Sequence, residues 1–271
     1  MPAEPREAAE ESGGETAWAV LGVELDRWRA ASLTLPLWWR DDDAVEPSPA
    51  LDALLARAEA WGLPVAVAAI PAAATPALAA RLAASLAARP MVHGWAHANH
   101  EPPDAKRAEF GAARPPAAAL ADAARGLGRM RALFGPRLLP VLVPPWNRIA
   151  PAVATGLAAC GFAGLSAVPK AAGAARGLAR LDIHIDPIDW HGTRSALPAA
   201  RLALPLAALL AARRAAADFA PLGLLTHHRD HDPAIWAATD RLVAMLLDGV
   251  AVPFDAAAGF GTLPRPRQPA P

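Results

Sequence analysis

The stretch Leu35-Pro-Leu-Trp-Trp-Arg-Asp-Asp-Asp43 joins a short apolar run to three consecutive carboxylates. The apolar part, Leu35–Arg40, is typical of a buried strand, and the carboxylates follow at its end. Three adjacent carboxylates repel one another, and a divalent cation is the simplest group that offsets this cost. The stretch therefore predicts a metal site at the end of a buried strand, and a solvated acidic turn is the alternative.

A second stretch, His93-Gly-Trp-Ala-His97, also follows a short apolar run and supplies two imidazoles four residues apart. One carboxylate and two histidines form a common ligand set for catalytic zinc, with an open position for water. The alternative is two hydrogen-bonded histidines on a loop, and the spacing of four residues favours the metal site moderately by itself. Together the two stretches favour a divalent metal ion: zinc first, with cobalt, nickel and manganese as alternatives.

Short apolar strands alternate with alanine-rich helices along the rest of the chain. The predicted strands are Leu35–Arg40, Leu63–Ile70, Met91–His93, Leu138–Val143, Phe162–Ala167, Leu222–Thr226 and Val250–Asp255. The predicted helices are Pro49–Trp61, Pro76–Ala88, Ala117–Phe134, Ala152–Cys160, Pro198–Ala217 and Pro233–Leu247, and Gly177–Asp189 is extended. This α/β alternation is typical of parallel strands covered by helices. It favours a closed or nearly closed β/α barrel, with a doubly wound open sheet as the alternative.

Composition limits the classes of partner. Lys+Arg and Asp+Glu both total 26, and this balance argues against a nucleic acid or an anionic membrane as the main partner. The single cysteine excludes an internal disulfide and a cysteine-built metal site. We expect a disordered leader over residues 1–16, one domain over 17–263 and a disordered tail over 264–271. The N-terminus lacks the apolar core of a secretory signal, so we expect a cytoplasmic protein.

Polar residues also end several other predicted strands, where β/α barrels build their sites. Pro144–Arg148 is either a strand-ending turn or a rigid loop that directs a backbone N–H toward an oxyanion. The stretch Asp182–Trp190 has polar residues at alternate positions, Asp182, His184 and Asp186, which lie on one face of a strand. It is either a half-exposed strand or the source of a carboxylate that orients an imidazole elsewhere. His227 and His228 end a buried strand, either as core histidines or as a general acid for the leaving group.

In this order, the five stretches resemble the polysaccharide deacetylase family, the NodB-homology domain of carbohydrate esterase family four. The family's motifs are an Asp-Asp pair, His-x-x-x-His, an Arg-x-Pro-aromatic loop, Asp-x-x-Asp-Trp and Leu-x-His. The resemblance implies a distorted (β/α)7 barrel of the NodB-homology type. It also implies metal-dependent removal of an N- or O-linked acyl group, usually acetyl, from a sugar.

The resemblance assigns a role to individual residues. Asp42 is the catalytic base and Asp43 a metal ligand, with Asp41 and Asp42 as the alternative working pair. The resemblance also makes His93 and His97 the other metal ligands and places Trp146 at the oxyanion hole. His227 is the implied general acid, Asp189 orients it, and Trp190 forms the wall beside it. Residues expected to support the ligands or to contact substrate are Arg40, Asp41, Asn99, His100, Arg148, Trp190 and His228.

Two departures from the family pattern matter. The glycine after the Asp pair is Ala44, and the third motif's arginine, which steadies the base, falls at Val143. Arg40 and Arg148 are the candidates to replace that arginine. Its absence motivates a second hypothesis, a non-catalytic sugar- or metabolite-binding protein that keeps the metal. Hydrolysis of a small cyclic or acyclic amide on the same fold is a third. The sequence leaves the oligomeric state open.

Overall fold

The computed structural model describes residues 5–169, 171 and 177–260. Its strands are β1 Leu35–Ala44, β2 Val65–Ala69, β3 Ala88–His93, β4 Val141–Val143, β5 Gly164–Leu165, β6 Ala179–Arg180, β7 Leu222–Thr226 and β8 Ala251–Pro253. Its α-helices are α1 Pro5–Ala30, α2 Pro49–Trp61, α3 Pro76–Ala83, α4 Pro116–Phe134, α5 Pro151–Gly156, α6 Ala199–Ala216, α7 Pro233–Leu247 and α8 Ala256–Phe260. Short 3₁₀ turns cover Gly135–Arg137 and Pro145–Asn147.

All strand pairs are parallel, in the order β6-β5-β4-β3-β2-β1-β7, with β8 paired to the start of β1. The two ends of this curled sheet meet through the segment after β6. There, Ile185 forms a parallel bridge with Leu224 of β7, and Ile183 N–H donates to the Ala167 carbonyl at 2.8 Å. A short irregular segment thus stands where a regular barrel has a strand, so the architecture is the distorted (β/α)7 barrel that the sequence predicted.

Strand β1 is longer than predicted and includes the three carboxylates. It stays in the sheet to Ala44 because β7 pairs with it as far as Asp41 and β2 as far as Ala44. The register against β2 shifts between Asp41 and Ala44, where β1 carries one extra residue. Asp43, inside this bulge, has a left-handed φ of 72°. A bulge of this kind redirects a side chain, and here it redirects Asp43.

Alternation along β1 separates its side chains onto two faces. Trp38 belongs to the apolar cluster inside the barrel, with Met91 and Val141. Trp39 belongs to the larger cluster between the sheet and the helices, where it packs on Trp61 at 4.8 Å between ring centroids. Because side chains alternate in a strand, Arg40 and Asp42 share the inner face with Trp38, whereas Asp41 shares the outer face with Trp39.

The sequence analysis missed helix α1. Leu21, Leu25 and Trp28 are fully buried at helical spacing and pack on α6, where Trp28 Nε1 donates to the Leu210 carbonyl at 3.3 Å. The structure therefore has residues 5–16 inside a helix rather than in a disordered leader, and residues 1–4 and the tail 264–271 lie outside the described residues. None of the described helices has both the length and the apolar character needed to cross a membrane.

His184, near the barrel's closure, predicts a pH dependence of stability. Burial and the nearby Arg213 charge lower the pKa of His184 to about 4 from 6.5. The unfolded chain therefore takes up a proton below pH 6.5 that the folded chain resists, so stability is full above pH 6.5 and falls as pH drops toward 4. We expect a loss of about 1–3 kcal/mol from this group after discounting for solvent.

The measurement is urea unfolding of the parent and His184→Gln at several values between pH 6.5 and 4. The free energy of unfolding should fall more steeply with decreasing pH in the parent. Equal slopes in the two proteins would show that His184 does not contribute this dependence.

Candidate metal centre

Asp43, His93 and His97 converge at the carboxyl ends of β1 and β3. One ligand atom from each lies within 4.8 Å of the others. Asp43 Oδ1 is 3.0 Å from His93 Nε2 and 3.4 Å from His97 Nε2. The structure thus brings together the three predicted ligands, and Asp43 is the carboxylate of β1 that lies beside the two histidines.

The hydrogen bonding of His93 shows that the cluster fits a cation. Its Nδ1 lies 3.0 Å from the Val143 carbonyl, so Nδ1 carries the proton and neutral Nε2 presents a lone pair. That lone pair faces Asp43 Oδ1, a buried carboxylate oxygen with no hydrogen bond of normal geometry. Two acceptors this close require a cation or a proton between them. The Asp-His-His set suits a catalytic ion with an open position.

The close contacts in the cluster shift the pKa values of all three side chains. Burial raises the pKa of Asp43, but the contact with His93 and the charge of its protonated form outweigh burial and hold that pKa below its usual value. Burial lowers the pKa of His93, and the charges of Asp42 and Asp43 outweigh burial and raise it. Burial and the charge of His93 lower the pKa of His97, which favours the neutral form that binds a metal.

Asp42, the predicted base, is held by Arg40 from the same strand. Both groups are buried, and the guanidinium approaches both carboxylate oxygens, Nε to Oδ1 and Nη2 to Oδ2, each at 2.9 Å. Arg40 also donates to Ser166 Oγ at 2.8 Å and to Asn147 Oδ1 at 2.7 Å. Of the two arginines considered as replacements for the one missing at Val143, Arg40 is therefore the one that contacts Asp42.

Asp41 serves the fold rather than the metal. It is fully buried on the outer face of β1, where it accepts bonds from Thr226 Oγ1 at 2.6 Å and His228 N–H at 2.9 Å and also contacts His228 Nδ1. Burial raises the pKa of Asp41, but the charge and hydrogen bond of His228 outweigh it and lower the pKa. His228, expected near the substrate, is instead the buried partner of Asp41.

Asp41→Asn tests this division of roles. Asparagine keeps one acceptor oxygen, but its NH₂ group replaces the other oxygen and faces a donor of Thr226 or His228. We therefore expect the free energy of unfolding to fall by about 1–3 kcal/mol while the zinc content stays unchanged. Urea unfolding and elemental analysis measure the two quantities. The same change at the exposed Asp104 is the matched control. Loss of zinc from folded Asp41→Asn would assign the ligand role to Asp41.

The turn after β4 carries the predicted oxyanion loop. Trp146 and Asn147 both have a left-handed φ of 56°, and in the described part of the chain the Trp146 N–H donates to no acceptor. The Trp146 ring packs on His97 with 4.3 Å between ring centroids. A free backbone N–H beside a metal ligand is the geometry expected of an oxyanion donor.

His227, the predicted acid, lies close enough to the centre for its charge to act on Asp43. Its charge contributes to the lowered pKa of Asp43, after the effects of burial and of His93. The His227 ring meets Trp190 edge-on at 4.7 Å between centroids, and Trp190 Nε1 donates to Asp186 Oδ2 at 2.7 Å. Trp190 is therefore the wall beside the acid, as predicted.

The structure does not pair Asp189 with His227. Asp189 accepts a bond from Arg201 at 3.1 Å, and in the described part of the chain it makes no hydrogen bond to the His227 ring. Of these two carboxylates, Asp186 is the one whose pKa the charge of His227 affects. Burial raises the pKa of Asp186, and the His227 charge only partly opposes this effect. The sequence favoured Asp189 because a motif gives spacing but not the direction in which a side chain points.

Three further candidates lie outside the centre. Asn99 holds its own loop, since its Oδ1 accepts from Glu101 N–H at 3.1 Å and Ala108 N–H at 3.0 Å. The His100 side chain is exposed. Arg148 donates to the Arg107 carbonyl at 2.8 Å rather than to Asp42. These residues support loops or face solvent.

No protein-family model and no curated protein matches the chain. Among solved structures, it is similar to a family 4 carbohydrate esterase from Streptomyces lividans in complex with acetate. The TM-score is 0.51, with 16% identity over 80% of this chain and 91% of that chain. For a CE4 esterase from Streptococcus mutans, the TM-score is 0.56, with 13% identity over 88% of this chain and 89% of that chain.

The protein has the family 4 carbohydrate esterase fold. The resemblance predicted from five stretches of sequence is thus confirmed for the fold. Within this family 4 esterase fold, the sequence analysis missed Ser166 and Asn147, which hold Arg40, and Glu109, which is fully buried beside the histidine turn. No local pattern distinguishes them, because each becomes a site residue through a contact between distant segments.

Proposed function

We propose that the protein is a metal-dependent hydrolase that removes an N- or O-linked acyl group, acetyl in the first instance, from a sugar or a related substrate. The observation that carries this proposal is the cluster of Asp43, His93 and His97, with Asp42 and His227 close enough for their charges to act on it. Zinc is the first choice of metal, because the ligand set combines two imidazoles with one carboxylate.

The residues divide the chemistry between two stages. Asp43, His93 and His97 would hold a divalent ion, which would lower the pKa of bound water and polarise the substrate carbonyl. Asp42, oriented by Arg40, accepts the proton of the water that attacks the carbonyl carbon. The Trp146 N–H donates to the oxyanion that develops on the carbonyl oxygen.

Collapse of the tetrahedral intermediate then breaks the bond to the amine or alcohol. His227 donates a proton to this leaving group, so that it departs neutral. The Trp190 ring packed against His227 limits the directions that the imidazole can take. Acylated substrate and water thus give a carboxylic acid and a free amine or alcohol.

A cavity of about 550 Å³ is our candidate for the part of the substrate away from the reacting bond. Its lining includes Asp186 and Asn147, the partner of Arg40, and α6 supplies an apolar wall with Leu202 and Leu206. Such a mixed lining suits a substrate with both polar and apolar faces. A sugar ring and a small amide both have this character.

The test combines metal content with a substrate panel. Zinc by elemental analysis should be near one ion per chain in the parent and absent from His93→Ala. Hydrolysis is measured at saturating zinc or cobalt on N-acetylated sugars, O-acetylated sugars and small cyclic and acyclic amides. His100→Ala is the matched control, because this exposed histidine lies on the same loop and should keep both metal and activity.

The panel also separates the alternatives. Bound metal with no hydrolysis of any panel member would favour a non-catalytic sugar- or metabolite-binding protein. Hydrolysis of small amides alone would favour an amidase on the same fold. The binding hypothesis was based on the missing arginine of the third motif. The contact of Arg40 with Asp42 argues against it, because Arg40 can steady the proposed base.

A further inference from the structure

Glu109 is a fully buried carboxylate that the proposed chemistry does not use. Its Oε1 accepts from the Ala96 N–H at 2.8 Å, and its Oε2 accepts from the Trp95 N–H at 3.1 Å. These two donors lie in the turn between the metal ligands His93 and His97. A buried carboxylate that binds two successive backbone N–H groups fixes the conformation of the turn that contains them.

The turn needs such support because its backbone is unusual. Gly94 has a φ of 63° and His97 a φ of 56°, and a non-glycine residue rarely adopts this left-handed region unless its surroundings hold it there. A Cβ at position 94 would also collide with Glu109 Oε2. Position 94 therefore needs a glycine when Glu109 is in this place.

The two metal histidines differ in how their rings are held. His93 is fixed through Nδ1 by the Val143 carbonyl. In the described part of the chain, the His97 ring makes no hydrogen bond to a residue outside the cluster, so its direction depends on the backbone of the turn and on the Trp146 ring packed against it.

The segment 107–110, which contains Glu109, also contacts the end of the oxyanion loop that follows β4. Phe110 forms a parallel bridge with Ile149, and its carbonyl accepts from Ala150 N–H at 2.8 Å. The Arg107 carbonyl accepts from Arg148 at 2.8 Å. One segment thus joins the histidine turn to the loop that carries Trp146.

We propose that Glu109 is a positioning residue for the metal centre. It holds the turn 94–97 so that His97 Nε2 points at the same ion as His93 and Asp43, and its segment keeps this turn in register with the oxyanion loop. The inference rests on the proposed metal-dependent function.

Glu109→Gln tests this role at constant shape. Glutamine offers one acceptor and one donor group, so one of the two backbone N–H groups faces a donor, and the buried charge is lost. We expect zinc affinity, measured by competition with a chromogenic chelator, to fall about tenfold to a hundredfold. The visible spectrum of the cobalt-substituted protein should also change, because His97 moves relative to the ion. A role confined to stability would change neither reading.

Two comparison variants sharpen the test. Glu101→Gln is the matched control, since Glu101 Oε1 accepts a single N–H, from Ala113, which a glutamine oxygen can also accept. It should keep the parental zinc affinity. Glu109→Asp keeps the charge and both oxygens on a shorter side chain, so its affinity should lie between those of the parent and Glu109→Gln. All titrations are made at a temperature where circular dichroism shows each protein folded.

The outcomes separate this inference from the proposed function. Parental zinc affinity and an unchanged cobalt spectrum in Glu109→Gln would overturn the inference, as would equal losses in Glu109→Gln and Glu101→Gln. If the parent binds zinc but hydrolyses no substrate, and Glu109→Gln still weakens binding, the proposed function fails and the inference stands. A parent that binds neither zinc nor cobalt ends both.

Discussion

Asp42→Asn is expected to lower kcat about 10²–10⁴-fold while the protein keeps its zinc. Asparagine has the shape of aspartate, so substrate and metal can still bind, but its amide cannot accept the proton of the attacking water. Asp42 is also distinct from the metal ligand Asp43, since its carboxylate is held by Arg40. The measurement is kcat on the best substrate of the panel at saturating zinc, with metal content determined on the same sample.

The matched control for this prediction is Asp104→Asn, an exposed aspartate on the loop after the histidine turn. It should keep the parental kcat. Retention of more than about a tenth of parental kcat by Asp42→Asn would assign the base to another group. Loss of zinc from Asp42→Asn would instead place Asp42 among the metal ligands.

Arg40→Met is expected to destabilise the folded protein by about 3–5 kcal/mol, because it leaves the buried Asp42 carboxylate without its cation. The guanidinium also serves Ser166 and Asn147, whose side-chain oxygens lose their buried donor. Urea unfolding should show a lower midpoint with an unchanged slope. Arg40→Lys keeps the charge but not the planar fork, so it should lose less stability than Arg40→Met.

Two comparisons identify the cause of that loss. Arg81→Met removes the arginine of an exposed pair with Asp52 and should cost less than about 1 kcal/mol. The double change Arg40→Met with Asp42→Asn should recover part of the stability, because no unpaired charge is then left buried. An Arg40→Met protein as stable as the parent would show that the pair does not stabilise the fold.

Much of the fold and the ligand set could be predicted from the sequence. The alternation of apolar strands and alanine-rich helices is local, and it predicted the parallel barrel correctly. The clustering of Asp43, His93 and His97 was also predicted: the two histidines from their close spacing, and Asp43 from the family resemblance. Helix α1 was missed, although the spacing of its buried Leu21, Leu25 and Trp28 carried the signal.

The roles of neighbouring carboxylates could not be read in the same way. Simple alternation would place Asp41 and Asp43 on one face of β1 and Asp42 on the other. The bulge between Asp41 and Ala44 breaks that alternation and turns Asp43 toward the histidines. The bulge depends on pairing with β2 and β7, which no local pattern in β1 reveals.

The sequence by itself determined which chemical groups the site has, the order of the strands that carry them and the class of metal they suit. Only the tertiary structure decided which group meets which. In the folded chain, Arg40 contacts Asp42, and Asp186 rather than Asp189 lies near His227. Glu109 accepts hydrogen bonds from the backbone of the histidine turn. The physical reason is that strand pairing and burial between distant segments fix the direction of a side chain, whereas sequence spacing fixes only its position along the chain.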